Sequence, residues 1–286
     1  MKLIDIIISD KPSLSFEVFP PKTDDSFDSV KSAVEEIARL KPSYMSVTYG
    51  AGGGTSEYTV EIANDLSKMG VTPLAHLSCV SSTKSEIIKM LDKMRANGIE
   101  NILALRGDIP AGFNQGSLEY KYASELIADI KAYGGFCIGG ACYPESHPDS
   151  ETSFSDIANL KKKVEAGCEF LTTQMFFDNN ILYNFMYRLR ESGIEVPVVA
   201  GIMPVTNPRQ IKRICSISGT ALPQRFVRIV DKYGSNPEAM KQAGIAYATE
   251  QIIDLYANGI NAVHIYSMNK PDVAEKIRDN VSEIIG

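Results

Sequence analysis

The sequence predicts an α/β protein of the (β/α)8 TIM-barrel class. Three observations carry this: a helix–glycine–strand rhythm along the chain, eight strand candidates, and polar residues gathered at one end of those strands. The rhythm opens with Phe27, Val30, Ala33, Val34, Ile37 and Leu40, which share one helical face and lead into the strand-like run Tyr44 to Tyr49. Thr83 and Glu86 then have capping-box spacing, and Ile87, Ile88, Leu91 and Met94 supply an apolar face. Asn97-Gly98 ends that helix before the strand Ile102 to Leu105. Gly70, Gly134, Gly167, Gly193 and Gly259 stand in the same place ahead of other apolar runs, where a left-handed residue stops a helix. The eight strands fall at 14–19, 43–49, 73–78, 101–106, 136–142, 169–174, 197–203 and 260–266, with a short helix opening the chain and another at 271–285. Such alternation means a parallel sheet covered by helices, and eight units are what a closed barrel requires. The competing open sheet carries a glycine-rich dinucleotide turn after its first strand. Here the first strand runs into Phe19-Pro20-Pro21 instead.

Bulk properties agree. A barrel of this kind occupies about 250 residues or somewhat more, and this chain has 286. Hydrophobic residues at 44% and charged residues at 22% describe a globular chain, and a formal charge of −6 argues against nucleic-acid and anionic-membrane partners. The apolar Ile6-Ile7-Ile8 is preceded by Asp5 and is too short for a signal peptide, and no later run is long enough to span a membrane. This composition places the protein in the cytoplasm. The five cysteines are scattered without a CxxC pair and the three histidines lack ligand spacing, so neither a disulfide framework nor a metal site is expected. No linker interrupts residues 1–286, which read as a single catalytic domain.

In a barrel the chemistry sits where strands run into the following loops. Those positions hold Glu17, Thr48-Tyr49, His76, Arg106-Gly107-Asp108, Tyr143, Gln174 and Tyr266 with Asn269-Lys270. Leu14, Phe16 and Val18 alternate to one face of the first strand, which turns Glu17 toward the barrel mouth. Two roles fit it equally: a general acid whose pKa burial has raised, or a structural carboxylate paired with a basic neighbour. Asp108 after Gly107 also reads as an ordinary turn, and Gln174 suits either an amide-like ligand edge or a loop backbone. The run Gly50 to Ser56 resembles a phosphate cradle but lacks the P-loop lysine, which makes it a loop beside the site. Lys161-Lys162-Lys163 is most simply a solvated helix face. Yet Asp156, Asn159 and Lys163 share one face at i, i+3, i+7 and suit an extended ligand.

Five stretches together carry a family resemblance. They are Ser15-Phe16-Glu17-Val18-Phe19-Pro20-Pro21-Lys22, Ser46-Val47-Thr48-Tyr49-Gly50-Ala51, Ala104-Leu105-Arg106-Gly107-Asp108, Tyr143-Pro144-Glu145-Ser146-His147-Pro148 and Thr173-Gln174-Met175-Phe176-Phe177-Asp178. In this order they resemble the methylenetetrahydrofolate reductase family. The resemblance implies FAD as cofactor, NADH or NADPH as hydride donor, and reduction of 5,10-methylenetetrahydrofolate to 5-methyltetrahydrofolate for methionine synthesis, in a homo-oligomer. It assigns the flavin to Thr48, Tyr49, Ala51, His76, Arg106, Gly107, Asp108, Tyr122, Ala123, Tyr143, His147, Asp156, Asn159 and Lys163. Glu17 becomes the acid that opens the folate imidazolidine ring, Asp108 tunes the flavin and binds substrate, and Gln174, Gln210 and Lys270 contact folate. Two positions depart from the family: Lys270 stands where arginine is frequent, and Cys168 where alanine is. The regulatory domain of longer eukaryotic relatives is expected to be absent. The rival expectations are a pterin-binding methyltransferase barrel without flavin, and a non-catalytic barrel subunit of a redox complex.

Overall fold

The computed structural model describes residues 1–21, 26–49, 56–109 and 118–286, apart from the side chains of Ser56, Gln210 and Lys212. Eight parallel strands close into a barrel in chain order. They are β1 Ser13–Val18, β2 Met45–Val47, β3 Pro73–Ser78, β4 Asn101–Leu105, β5 Cys137–Cys142, β6 Phe170–Thr173, β7 Val198–Ile202 and β8 Ala262–Tyr266. The ladder from Ser13↔Ala262 to Glu17↔Tyr266 closes the ring. Every expected strand is present. β2 is the most shortened, although Ser43 N still donates to Leu14 O at 2.9 Å and Thr48 N to Val18 O at 3.0 Å. Contact with β1 thus continues on both sides of the strand, and Thr48 O also accepts from Thr59 Oγ1 of the helix that follows at 2.9 Å.

The helices are α1 Leu3–Ile7, α2 Phe27–Arg39, α3 Ser56–Lys68, α4 Lys84–Ala96, α5 Ala123–Tyr133, α6 Ser153–Glu165, α7 Asn179–Glu191, α8 Pro208–Ser218, α9 Gln224–Tyr233, α10 Pro237–Ala257, α11 Pro271–Asn280 and α12 Ser282–Ile285. Among the described residues none is long and apolar enough to cross a membrane. Thr83 and Glu86 form the expected capping box on α4, and Gly98 follows the C-cap Asn97 with φ +69°. Three expectations need correction. Ile87, Leu91 and Met94 are buried, but Ile88 is 52% exposed, because it sits a further ~100° round the helix from Ile87. Three helices, not one, separate β7 from β8, and their inner faces build a second core of Met175, Phe177, Val205, Ile211, Phe226, Met240 and Tyr247. The closing helix breaks at the buried Val281.

Strand alternation sends Phe16, Val18, Met45, Val47, Ala75 and Leu77 outward into the main core with the helices. The inward positions are layered. Tyr44, Leu74, Leu103, Cys137, Phe170, Val199 and Ala262 form an apolar floor, stoppered by Leu3 and Ile7 of α1. Asn101 anchors this stopper: Oδ1 accepts from Leu3 N at 2.7 Å, and Nδ2 donates to Met1 O and Pro73 O at 3.1 Å each. Above the floor lies His264, buried and bonded on both ring nitrogens. Ser15 Oγ gives its one proton to Val263 O at 3.0 Å, so it accepts from His264 Nδ1 at 2.8 Å. Nε2 is then the acceptor for Ser46 Oγ at 2.9 Å, which fixes a neutral tautomer.

Two glycines make room for rings inside the barrel. A Cβ on Gly139 would stand 2.5 Å from Phe170 Cε2, and one on Gly201 2.5 Å from the Tyr266 hydroxyl. Gly139→Ala therefore forces Phe170 off its place in the floor, at a cost of about 1–3 kcal/mol. Urea unfolding should show a lowered midpoint at constant m-value; an unchanged midpoint would mean that the floor repacks freely.

Candidate active site

A cavity of about 640 Å³ opens at the C-terminal ends of the strands, a size ordinary for a small-molecule or cofactor site. The exits of β1 to β6 contribute. Glu17 and Phe19 come from β1, Thr48 and Tyr49 from β2, His76 and Ser78 from β3, and Arg106, Gly107 and Asp108 from β4. Ala141, Tyr143 and His147 follow from β5 and Gln174 from β6. Tyr122, Ala123 and Ser124 stand at the start of α5, and Asp156, Asn159 and Lys163 present one face of α6. The residues assigned to flavin and folate thus meet in one cavity with three exceptions, and Tyr266 and Asn269, nominated at the end of β8, do not line it. Ala51 lies outside the described residues, with the rest of the run Gly50 to Thr55; Gln210 sits in α8, its side chain outside the description. Lys270 lines a smaller neighbouring cavity with Met203, Asn207, Ile211 and Met268, and its Nζ donates to Thr206 Oγ1 at 2.6 Å.

Glu17 is 8% exposed, and burial pushes its carboxyl up to about 8. Its ionisable neighbour is His76, with Nε2 3.7 Å from Glu17 Oε2, too far for a hydrogen bond. Burial pushes His76 down to about 3, so near neutral pH both groups are uncharged and no ion pair forms. Among the described residues no lysine or arginine forms an ion pair with Glu17; Lys22, the basic residue next along the chain, lies outside them. His76 Nε2 is itself buried without a hydrogen-bond partner. An orphaned polar atom of this kind is costly, which makes it informative where it lines a cavity.

Arg106 bonds Asp149 at 2.8 Å, and that hydrogen bond holds the Asp149 carboxyl below the usual range. His147 packs edge-on to Tyr143 with ring centroids 4.5 Å apart, and its Nδ1 accepts from Asp149 N at 3.0 Å. Lys163 Nζ donates to Ala141 O at 2.7 Å, and burial lowers its pKa. The solvated-face reading therefore holds for the exposed Lys161 and Lys162 and fails for Lys163. Gln174 Oε1 accepts from Met175 N at 2.9 Å, and the side chain also bonds Tyr143. Its loop-satisfying role is real, and the same side chain faces the cavity. Gly107 turns with φ +84°, where a Cβ would meet Ser78 Cβ at 3.0 Å, so the turn and the cavity wall are one feature. Cys168 is buried, its Sγ against Phe170 O at 3.0 Å, a packing position.

Sequence reasoning missed Phe19, Ser78, Ser124 and Asp149. Ser124 was accessible as the second residue of α5; Asp149 was not, because only the fold brings it to Arg106. Among the described residues no cluster of three metal-ligating side chains occurs.

Residues 2–282 match the family described as methylenetetrahydrofolate reductase. Methylenetetrahydrofolate reductase (NADH) 1 of Arabidopsis thaliana is 36% identical over 288 residues, covering 94% of this chain and 49% of the relative. The chain therefore spans about half the length of the plant relatives it matches. The 5,10-methylenetetrahydrofolate reductase of Escherichia coli (strain K12) is 32% identical over 266 residues, covering 93% of this chain and 89% of the relative. A solved structure of an uncharacterized protein from Clostridium thermocellum that binds two copies of 5-methyl-5,6,7,8-tetrahydrofolic acid shares the fold. It has a TM-score of 0.69 at 14% identity and covers 100% of this chain and 99% of its own. Since the family match embraces all eight strands and the cavity they support, the chain belongs to the methylenetetrahydrofolate reductase family.

Proposed function

We propose that this protein reduces 5,10-methylenetetrahydrofolate to 5-methyltetrahydrofolate, with NADH or NADPH as donor and FAD as resident cofactor. In this reading it supplies methyl groups for methionine synthesis, works in the cytoplasm as a homo-oligomer, and uses residues 1–286 as one catalytic domain. One observation carries the reading: Glu17, a buried carboxyl without a cationic partner among the described residues, sits in a cavity lined by the positions the family would use for flavin and folate.

The cavity suits FAD on three counts. His76 Nε2 is a buried polar atom that a ligand would satisfy. The N–H groups of Ala123 and Ser124 open α5 at the cavity wall, a setting that attracts a pyrophosphate. Asp156, Asn159 and Lys163 add polar groups along α6 for the adenylate half. When bound, FAD would relay a hydride from the nicotinamide to the folate.

The protein's own groups do the rest. Opening the imidazolidine ring of the folate needs a proton on its nitrogen, and a carboxyl that titrates near 8 still holds that proton at neutral pH. Glu17 donates it. Asp108 at the rim receives the pterin, Gln174 offers an amide edge, and Lys270 meets the glutamate tail as a point charge where arginine would grip it bidentately. The NADH in the plant relatives' names supports that donor.

The purified protein should be yellow, and heat should release FAD, identified by chromatography. FMN, or no flavin after reconstitution, would overturn the assignment, and a colourless folate-binding protein would point to a methyltransferase. Glu17→Gln keeps size and hydrogen bonding but removes the acidic proton. Stopped-flow traces should show donor oxidation intact and folate reduction slowed by roughly 10²–10⁴-fold. The wild-type folate step should decline as pH rises through about 8, where Glu17 ionises, and the variant should lose that limb. Equal slowing of both half-reactions would make Glu17 structural, and no slowing would place the acid elsewhere.

A further inference from the structure

The β8–α11 connection holds two consecutive non-glycine residues in the left-handed region, Met268 at φ 55° and Asn269 at φ 52°. Among the described residues the others of this kind, Lys41 and Ser146, are isolated. Backbone of this sort persists where its surroundings over-determine it. Here the surroundings are the exit of β1. Asn269 Oδ1 accepts from Phe19 N at 2.8 Å, and its Nδ2 donates to Phe19 O at 2.9 Å. Ser267, also buried, donates through Oγ to Glu17 O at 2.8 Å, and Lys270 N donates to Ser267 O at 3.1 Å.

The sequence explains why side chains are needed. The β1–β8 ladder ends at Glu17↔Tyr266, and Phe19 is followed by Pro20-Pro21, which have no N–H to give. Phe19 is the last residue on that strand with both a donor and an acceptor. The Asn269 amide, which has the same pair, takes the place of a neighbouring strand. Both residues tied in this way, Glu17 and Phe19, line the cavity.

We propose that Asn269 and Ser267 are positioning residues for Glu17: they extend the β1–β8 pairing through side chains, and the strained turn at 268–269 is retained because it aims the Asn269 amide at Phe19. The catalytic consequence rests on the proposed function, whereas the placement of the carboxyl does not. Among the described residues the titratable groups facing Glu17 are His76 on β3, Tyr266 on β8 and Tyr44 ahead of β2. All three are uncharged near neutral pH, so entry of water is what would bring the Glu17 carboxyl down.

Asn269→Gly tests this, because glycine keeps the left-handed turn without strain while both bonds to Phe19 are lost. The first readout needs no substrate: infrared titration of the Glu17 carboxyl band in the FAD-loaded protein, the band being assigned by its loss in Glu17→Gln. The wild-type midpoint should lie near 8, and the variant midpoint should be lower by about one pH unit or more. Folate reduction should slow by roughly ten- to a hundredfold in maximal rate, its alkaline limb moving the same way, with donor oxidation and flavin content held within about twofold. Lys270→Ala is the control, raising folate KM without moving the limb. Asn269→Asp keeps the acceptor for Phe19 N but sets a carboxylate against Phe19 O, and should fall between the two. If Asn269→Gly does not fold, Ser267→Ala, which loses one bond, is read in the same way. An unmoved midpoint overturns the proposal: a change in KM alone would then assign the turn to Lys270, and equal loss of both half-reactions would make it a structural latch. A wild-type protein inactive on the folate would sink the proposed function, while the infrared comparison would still decide the positioning.

Discussion

A carboxyl group kept in a buried place, with no cation beside it among the described residues, is the constraint around which this barrel is arranged. A buried carboxylate would demand either neutralisation by a partner or protonation, and Glu17 takes the second course with a pKa near 8. That holds only while every neighbour stays uncharged. His76, pushed down to about 3, satisfies the condition. Protonated there, it would bring a cation toward Glu17 and favour the carboxylate.

The layering of the interior maintains this state. The floor of Phe170, Leu74, Leu103 and Val199, with α1 beneath it, stoppers the lower end of the barrel. The Ser15–His264–Ser46 bonds then occupy the histidine on both nitrogens. An imidazolium would need a second acceptor, at Nε2, where Ser46 Oγ donates instead, so desolvation dominates and the ring stays neutral. Polar groups nearer the mouth, Thr48, Arg106, Asp108 and Gln174, are free of this restriction because they border the open cavity.

Much of this was legible in the sequence for stated physical reasons. Strand and helix periods separate cleanly when each apolar run is 5–7 residues long and a glycine marks the preceding helix end, which is why β3 matched its predicted limits of 73–78. Glu17 was legible because Leu14, Phe16 and Val18 fix its face by alternation. Its role was not, since a paired and an unpaired carboxylate share the same local pattern and only the fold shows which charges arrive. The α8–α10 insertion escaped because its helices bury residues against one another and against the β6 exit, as Phe226 of α9 does on Tyr247 of α10 and on Phe177. Ile88 misled for a simpler reason: two adjacent isoleucines cannot both occupy the centre of one helical face.

Glu17, His76 and His264 contribute to the dependence of stability on pH, and their signs differ. Glu17 is raised from 4.5 to about 8, so the folded chain holds a proton that the unfolded chain has lost; its contribution is full below 4.5 and gone once pH passes 8. His76 and His264 are lowered from 6.5 to about 3, so their contribution is full above 6.5 and is lost as pH falls toward 3. Each group, where it acts alone, changes stability by about 1.4 kcal/mol per pH unit. Between 4.5 and 6.5 two histidines oppose one carboxyl and stability rises with pH; between 6.5 and 8 only the carboxyl acts and stability falls. These groups therefore place their combined optimum near 6.5, with the range just above it the one in which both histidines are neutral in either state and Glu17 still carries its proton. A buried, protonated carboxyl is thus held at the expense of alkaline stability. The strain at Met268–Asn269 follows the same logic, since a loop held in a costly conformation to fix the end of β1 puts the placement of Glu17 ahead of the stability of the turn.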